Sequence, residues 1–456
     1  MLNEKINYYE ARWKNFKGFK DTGWVKIKPI TIIIGSNNSG KTNFLAPFLL
    51  MNQTVNSRDR LSTLIIKGDL YNGGNYQEIV KDYITENEIY FGFKYHIRKP
   101  DQNIKGIGTY SPGAFDFTFK VETKDGEILL KSTTIYDIFF RKFLSLTRTK
   151  NGNYNYSGIG ADEMTESEKE SIAKSKPVNF QFSPNSVLAK FETNKKENDE
   201  KIGTKSDRFS KGFSHFLPAL SFNNARVRKY LGDLSFLGPI REQPQRIYEI
   251  TNETYNTVGS KGENMPNLLK KIGNNNSEIN EWIKRFGFGD KIELKHHYSN
   301  SYSLRFPVMD SVNYTSIANS GFGASQVLPL IVQAVVSPEN SITIAEQPEI
   351  HLNPKIQCEL AELFVFMAKK GQTIIAETHS EHLLLRLRRL VAEGKISSDD
   401  VAIYYVKKEE NNSFVKEIEL EENGHISSIN WPKDFFGESL KDALIMATEQ
   451  AKRRKK

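Results

Sequence analysis

The residues with the most legible chemistry are Gly35-Ser36-Asn37-Asn38-Ser39-Gly40-Lys41-Thr42, which fit the pattern G-x-x-x-x-G-K-[ST]. Glycines let the backbone fold back so that several N–H groups point at phosphate oxygens. A helix starting after the loop adds the partial positive charge of its N-terminus. Lys41 is suited to bridge the β- and γ-phosphates, and the Thr42 hydroxyl to take one Mg²⁺ position. Asn37, Asn38, Ser39, Gly40 and Asn43 complete the expected nucleotide-binding set. Downstream, Ser341 to Glu349 reads as an apolar strand ending in acid, where open α/β sheets bind ligands. Glu346 there is expected to hold Mg²⁺ through water. The next apolar run ends in Glu377-Thr378-His379-Ser380, and His379 is placed to reach a γ-phosphate or an attacking water. Asn319-Ser320-Gly321-Phe322-Gly323-Ala324-Ser325-Gln326 leads into a helix and makes a second anion-binding corner. One nucleotide needs only one cradle. The second is expected to serve another copy, giving a head-to-tail pair with two triphosphates between the subunits.

The elements that position these groups follow from hydrophobic periodicity. Pro29 to Ile34 is a buried strand, and Phe44, Leu45, Phe48 and Leu49 share one helical face after the loop. Phe91, Phe93 and Tyr95, then Phe115, Phe117, Phe119 and Val121, alternate with other residues as half-buried antiparallel strands do. Residues 149–177 are polar, and 193–211 are dense in Lys, Asp and Glu; both read as surface loops or insertions. From Tyr314 onward strands and helices alternate, which predicts a parallel sheet covered on both faces. No sustained heptads occur, so no long coiled coil is expected. The expected units are an N-terminal lobe, 1–131, an insertion, 132–292, and a C-terminal lobe with a tail module, 293–456.

Composition bounds the class. The 456 residues carry 63 Lys and Arg against 55 Asp and Glu, a net charge of +8 that permits a polyanion partner without requiring one. With 29 Phe and 19 Tyr the chain has the mass for a real core. Cys358 is the only cysteine, which excludes a disulfide framework and a Cys-type zinc site and suggests a cytoplasmic setting. The N-terminus has no apolar stretch of the signal-peptide kind, and no run approaches the ~20 apolar residues of a membrane span. The adjacent pair His296-His297 falls in an alternating segment, where neighbours point to opposite faces, and reads as structural.

These pieces, in this order, resemble the ATP-binding-cassette ATPases of the SMC/RecF/OLD branch. Trp13-Lys14-Asn15-Phe16-Lys17-Gly18-Phe19-Lys20-Asp21 looks like that branch's opening strand. Phe236 to Arg241, Val258 to Asn264, Gly321 to Pro329, Glu346 to Leu352 and Trp431 to Phe436 are similar to a bacterial group. That group is the prokaryotic AAA-family ATPases with a C-terminal domain of unknown function, which sits beside the anti-phage ATPases of Septu, retron-associated and PARIS systems. The resemblance implies an α/β ABC-type head with a mixed sheet, an N-terminal antiparallel subdomain and an inserted region. It implies ATP and Mg²⁺, Lys41 and Thr42 in the phosphate loop, and Glu346 as the acid on the metal. Ser320, Gly321 and Gly323 become the corner facing a partner's ATP, His379 a switch histidine, and Gln77 a metal-facing glutamine.

One departure matters. The position after the acid, usually a catalytic glutamate, is Gln347, whose amide cannot accept a proton from water as a carboxylate does. Either Glu349 or His379 polarises the water, or hydrolysis is slow, and slow turnover is the expectation. The function expected is an ATPase switch in a phage-defence complex, triggered by a nucleic acid or phage protein and controlling an effector protein encoded nearby. The alternative is a RecF- or SMC-like ATPase that binds DNA, using Arg386, Arg388, Arg389 and the tail Lys452 to Lys456. Arg241 and Arg246 flank Pro244 in a motif-like stretch; no role is assigned to them, and a structural ion-pair role is an equal reading.

Overall fold

The computed structural model describes residues 6–59, 62–97, 112–122, 126–137, 141–197, 209–249, 253–273, 276–297, 300–307, 313–320, 322–426 and 445–446. Its centre is a six-stranded sheet in the order Ser235–Leu237, Ile342–Glu346, Thr373–Glu377, Ile30–Gly35, Val401–Glu409, Asn412–Ile418. The first five strands are parallel and the last closes an antiparallel hairpin. All six residues of Ile30–Gly35 are buried, as the β-branched run predicts for a strand covered on both faces. Alternation divides that strand between two cores. Ile33 faces the Lys41–Val55 helix and the antiparallel sheet, while Ile30, Ile32 and Ile34 face the helices Phe322–Val336, Pro354–Lys369 and Glu381–Ala392. The expected parallel, doubly covered sheet is therefore present, and no long coiled coil occurs among the described residues.

The second sheet is antiparallel and built on phenylalanine. Strands Ile89–Ile97 and Pro112–Val121 pair with Phe91 opposite Phe117 and Phe93 opposite Phe115. Trp13, in the strand Ile6–Phe16, joins this sheet to the phosphate-loop helix. Its ring packs edge-on against Phe48, Phe91 and Phe93, and its Nε1–H donates to the Phe44 carbonyl at 2.9 Å. A third, small sheet (Tyr248–Glu249, Ser301–Pro307, Glu293–His297, Tyr314–Ser316) feeds the corner before Phe322–Val336.

Two readings of polar stretches are corrected. Residues 149–177 are not one loop: they contain the edge strand Tyr154–Gly158 and the helix Glu166–Ala173. Polarity concealed a capping box, in which Thr165 accepts from the Glu168 N–H and Glu168 accepts from the Thr165 N–H. The charged stretch from 193 begins inside the helix Pro184–Glu197, and residues 198–208 lie outside the described residues. The boundary expected after residue 131 falls within the strand Ile128–Asp137, so the antiparallel sheet runs across it. His296 stands opposite Tyr302, and the His297 ring bonds the Ser303 hydroxyl at 2.9 Å. Among the described residues no helix is long and apolar enough to cross a membrane.

Trp13 carries both a large buried area and a buried hydrogen bond. Trp13→Ala is expected to cost about 3–5 kcal/mol in denaturant unfolding; a loss below about 1 kcal/mol would contradict its linking role.

Candidate functional site

The loop 35–42 leaves the end of the strand Ile30–Gly35 and enters the helix Lys41–Val55. Asn38 and Gly40 take positive φ, 60° and 106°, which turns the chain tightly back on itself. A Cβ on Gly40 would sit 2.9 Å from the Ser413 Oγ, and one on Gly35 would sit 2.5 Å from the Val406 carbonyl oxygen. The C-terminal hairpin therefore buttresses the loop, and the Ser413 hydroxyl donates to the Ser39 carbonyl at 2.8 Å. Ser36, Asn37, Asn38 and Thr42 are exposed, Asn43 is half-buried, and Lys41 is buried. The lysine lies folded into the loop. Its Nζ donates to the carbonyls of Gly35 at 3.0 Å and Ser36 at 2.9 Å.

The acids come from the ends of two neighbouring strands. Register pairs Glu346 with Glu377, and Glu377 with Ile33 in the loop strand. The Thr373–Glu377 strand thus separates the loop strand from the Glu346 strand, and its terminal Glu377 is the carboxylate nearest the loop. Thr42 Oγ1 donates to Glu377 Oε2 at 3.1 Å, and Lys41 Nζ lies 3.9 Å from Glu377 Oε1. Sequence reasoning passed over Glu377; its signal was the apolar run Thr373 to Ala376 ending in acid, as Ser341 to Ala345 does. Glu349 Oε1 accepts from the His379 backbone N–H at 2.7 Å, so the acid turn holds the histidine's chain in place.

Electrostatics follows from burial. Glu346, Glu349 and Glu377 are all buried. Burial, reinforced by the Glu377 charge and opposed by Arg241, pushes the Glu346 carboxyl up to about 7. Burial also raises Glu349, against the His379 N–H bond, and Glu377, against Lys41 and Thr42. Burial and then Lys41 hold the half-buried His379 imidazole below its ordinary value. Gln347 sits at φ 45°, a left-handed conformation that costs a non-glycine residue about 1–3 kcal/mol. Its N–H donates to the Glu377 carbonyl at 2.7 Å, and its carbonyl accepts from the Ile350 N–H at 3.2 Å.

The structure thus gathers the loop, Glu346, Gln347, Glu349, Glu377 and His379 at one edge of the sheet. Gln77 is exposed on the single turn Tyr76–Ile79 and, among the described residues, makes no hydrogen bond to Thr42, Glu346 or Glu377. Burial, with the Glu346 charge adding to it, raises the Tyr71 hydroxyl to about 12. Ser320 is half-buried, its hydroxyl donating to the Ile317 carbonyl at 2.7 Å. Gly323 abuts the turn after the acids: a Cβ there would meet the His351 carbonyl oxygen and the Leu352 side chain, both at 3.3 Å. Gly321 lies outside the described residues.

Among the described residues no cluster of three or more His, Cys, Asp or Glu side chains is arranged to hold a metal unaided. Glu346 Oε1 is nevertheless buried without a partner, beside a threonine hydroxyl and a second carboxylate at the loop. That donor set fits Mg²⁺, which characteristically takes one or two protein oxygens and completes its shell with phosphates and water.

Because the raised group is an acid, the penalty for ionising Glu346 is absent below about pH 4.5 and complete above about pH 7. Glu346→Gln is expected to stabilise the nucleotide-free protein by on the order of 2–3 kcal/mol near pH 8, with the gain vanishing as the pH falls toward 4.5. Equal unfolding midpoints of the two proteins near pH 8 would contradict it.

A family profile described as the AAA ATPase domain matches residues 12–384. A second profile, described as a protein of unknown function, matches residues 396–444, which include the hairpin strand that buttresses the loop. No curated protein matches the chain. Similar solved structures include the SMC head bound to the C-winged helix domain of ScpA, at 12% identity and TM-score 0.42, covering 91% of this chain and 98% of that one. They also include the SMC head domain from Thermotoga maritima, at 12% identity and TM-score 0.37, covering 91% and 99%. Likenesses this loose carry no partner or activity across. The profile matched along most of the chain spans both the phosphate loop and His379, and the chain belongs to the AAA ATPase domain family.

Proposed function

We propose that this AAA ATPase is an ATP-gated switch that closes by pairing two copies over bound ATP, hydrolyses slowly, and regulates a separate effector. The observation that supports this reading is that, among the described residues, Ser320 of the expected second corner makes no hydrogen bond to the phosphate loop of its own chain. The Gly35–Thr42 loop ends in a buried lysine, while Ser320 bonds within its own turn and makes no hydrogen bond to the loop or to the acids. A second copy supplying its Ser320–Gly323 corner completes each site. The motif resemblance to anti-phage ATPases supports a defence role, with a nucleic acid or phage protein as trigger and an effector encoded nearby.

The residues divide the work. Lys41 leaves the Gly35 and Ser36 carbonyls to meet phosphate oxygens. Thr42, Glu346 and Glu377 are the groups that would hold Mg²⁺. When bound, the ion neutralises charge on the β- and γ-phosphates. Gln347 orients water without accepting its proton, which accounts for slow turnover. Its neighbour His379, whose imidazole burial and then Lys41 hold below its ordinary value, is the acceptor left beside it.

A DNA-binding reading would use the Glu381–Ala392 helix. Its arginines are engaged internally. Arg386 donates to Glu362 at 3.0 Å, Arg388 to the Gly424 carbonyl at 2.9 Å, and Arg389 pairs with Glu393. The tail Lys452 to Lys456 lies outside the described residues.

Lys41→Ala is expected to weaken ATP binding by about 10–100-fold in a titration with fluorescent nucleotide, the worth of charge-assisted hydrogen bonds. Ser320→Arg should keep that affinity yet abolish ATP-dependent dimerisation in light scattering; a dimer that persists would sink the two-copy site. For Gln347→Glu, turnover should rise on the order of 100-fold, and an unchanged rate would place the proton acceptor elsewhere.

A further inference from the structure

We propose that Arg241 is a positioning residue for ATP hydrolysis: its buried guanidinium grips the carbonyls of Glu346 and Gln347 and so fixes the turn that presents both side chains to the nucleotide. The proposal rests on the reading that hydrolysis takes place at this turn. It goes beyond that reading in giving work to an arginine that touches neither substrate nor metal.

The fold delivers Arg241 to this place. The strand Ser235–Leu237 lies at the sheet edge beside the acid strand, with Leu237 opposite Ala345. The chain therefore leaves the sheet next to Glu346. Two backbone bonds then clamp it, from the Gly238 N–H to the Ser260 carbonyl and from the Glu242 N–H to the Lys261 carbonyl, both 2.8 Å. Between those clamps Arg241 turns inward. Its Nη2 donates to the Glu346 carbonyl at 3.1 Å, and its Nη1 to the Gln347 carbonyl at 3.2 Å and the Pro239 carbonyl at 3.4 Å.

An ion pair is not what forms. Among the described residues no carboxylate lies within 4.0 Å of the guanidinium, although its charge is felt by both Glu346 and Glu349. Its Nε is buried without a partner. An arginine used only for packing lays its stem on apolar surface and leaves its head in water. Keeping the head buried on carbonyl oxygens, with one donor unmet, is costly and persists where the geometry of those carbonyls matters. The geometry at stake is the left-handed Gln347, whose peptide groups are tied on one side to the Glu377 carbonyl and on the other to Arg241 and Ile350. Removing the guanidinium frees one side of a strained residue at the reacting centre. Lys41 and the loop, on the far side of the Thr373–Glu377 strand, keep their own contacts.

The test compares Arg241→Gln and Arg241→Lys with the parent and with Lys41→Ala in the full chain, measuring fluorescent-nucleotide affinity and stoichiometry, kcat and thermal midpoint. Arg241→Gln should lower kcat about 10–100-fold while nucleotide affinity stays within about threefold. Arg241→Lys, which keeps a cation able to donate to the same carbonyls, should recover a substantial part of kcat. Unchanged kcat in Arg241→Gln would overturn the proposal. So would a kcat loss matched by an equal loss of nucleotide-binding sites in both variants, since Arg241 would then only hold the fold. Failure of the underlying site reading shows separately, as a Lys41→Ala protein that binds and hydrolyses ATP like its parent.

Discussion

Charge balance in a nearly dry patch constrains everything around it. Glu346, Glu349 and Glu377 are buried at one edge of the sheet, with Lys41 and Arg241 as the buried cations beside them. Three acids against two bases leave an excess of negative charge that burial alone penalises heavily. The raised carboxyls are the direct result. Such a patch is poor for stability and suited to receiving added positive charge, the usual compromise of a binding site.

The rest of the fold holds that patch still. The parallel sheet puts the phosphate loop, Glu377 and Glu346 on consecutive strand ends, so their spacing is set by strand pairing and not by loops. One face of the sheet packs on helices, and the other on the phosphate-loop helix and the phenylalanine-lined antiparallel sheet. The C-terminal hairpin closes the arrangement through Ser413, which reaches both the Ser39 carbonyl and the space beside Gly40. The loop is thus braced by a segment more than 370 residues away in sequence.

Much of this was legible in the chain. Runs such as Ile30 to Ile34 and Thr373 to Ala376 declare buried strands, because few residues suit a position covered on both faces. The loop is readable because phosphate binding demands glycine, lysine and a hydroxyl at fixed spacing. What stayed hidden depended on pairing across long separations. Glu377 looked like one more polar residue two places before a histidine, and only the fold brings it to Thr42. Arg241 had no assigned role, because a sequence does not reveal that its neighbours are carbonyls. The helix Glu166–Ala173 was masked by polarity, although Thr165 and Glu168 carry its cap. Gln77 matched by composition and order alone, and the structure leaves it exposed and unbonded to the loop.

In the proposed switch, two chains share each nucleotide. The most direct test mixes two inactive proteins, one with Lys41→Ala and one with Ser320→Arg, and follows ATP hydrolysis. In a mixed pair, one site combines an intact lysine loop from one subunit with an intact serine corner from the other. Activity should therefore appear on mixing and be absent from either protein alone. A mixture as inactive as its components, or full activity in the Ser320→Arg protein by itself, would contradict it.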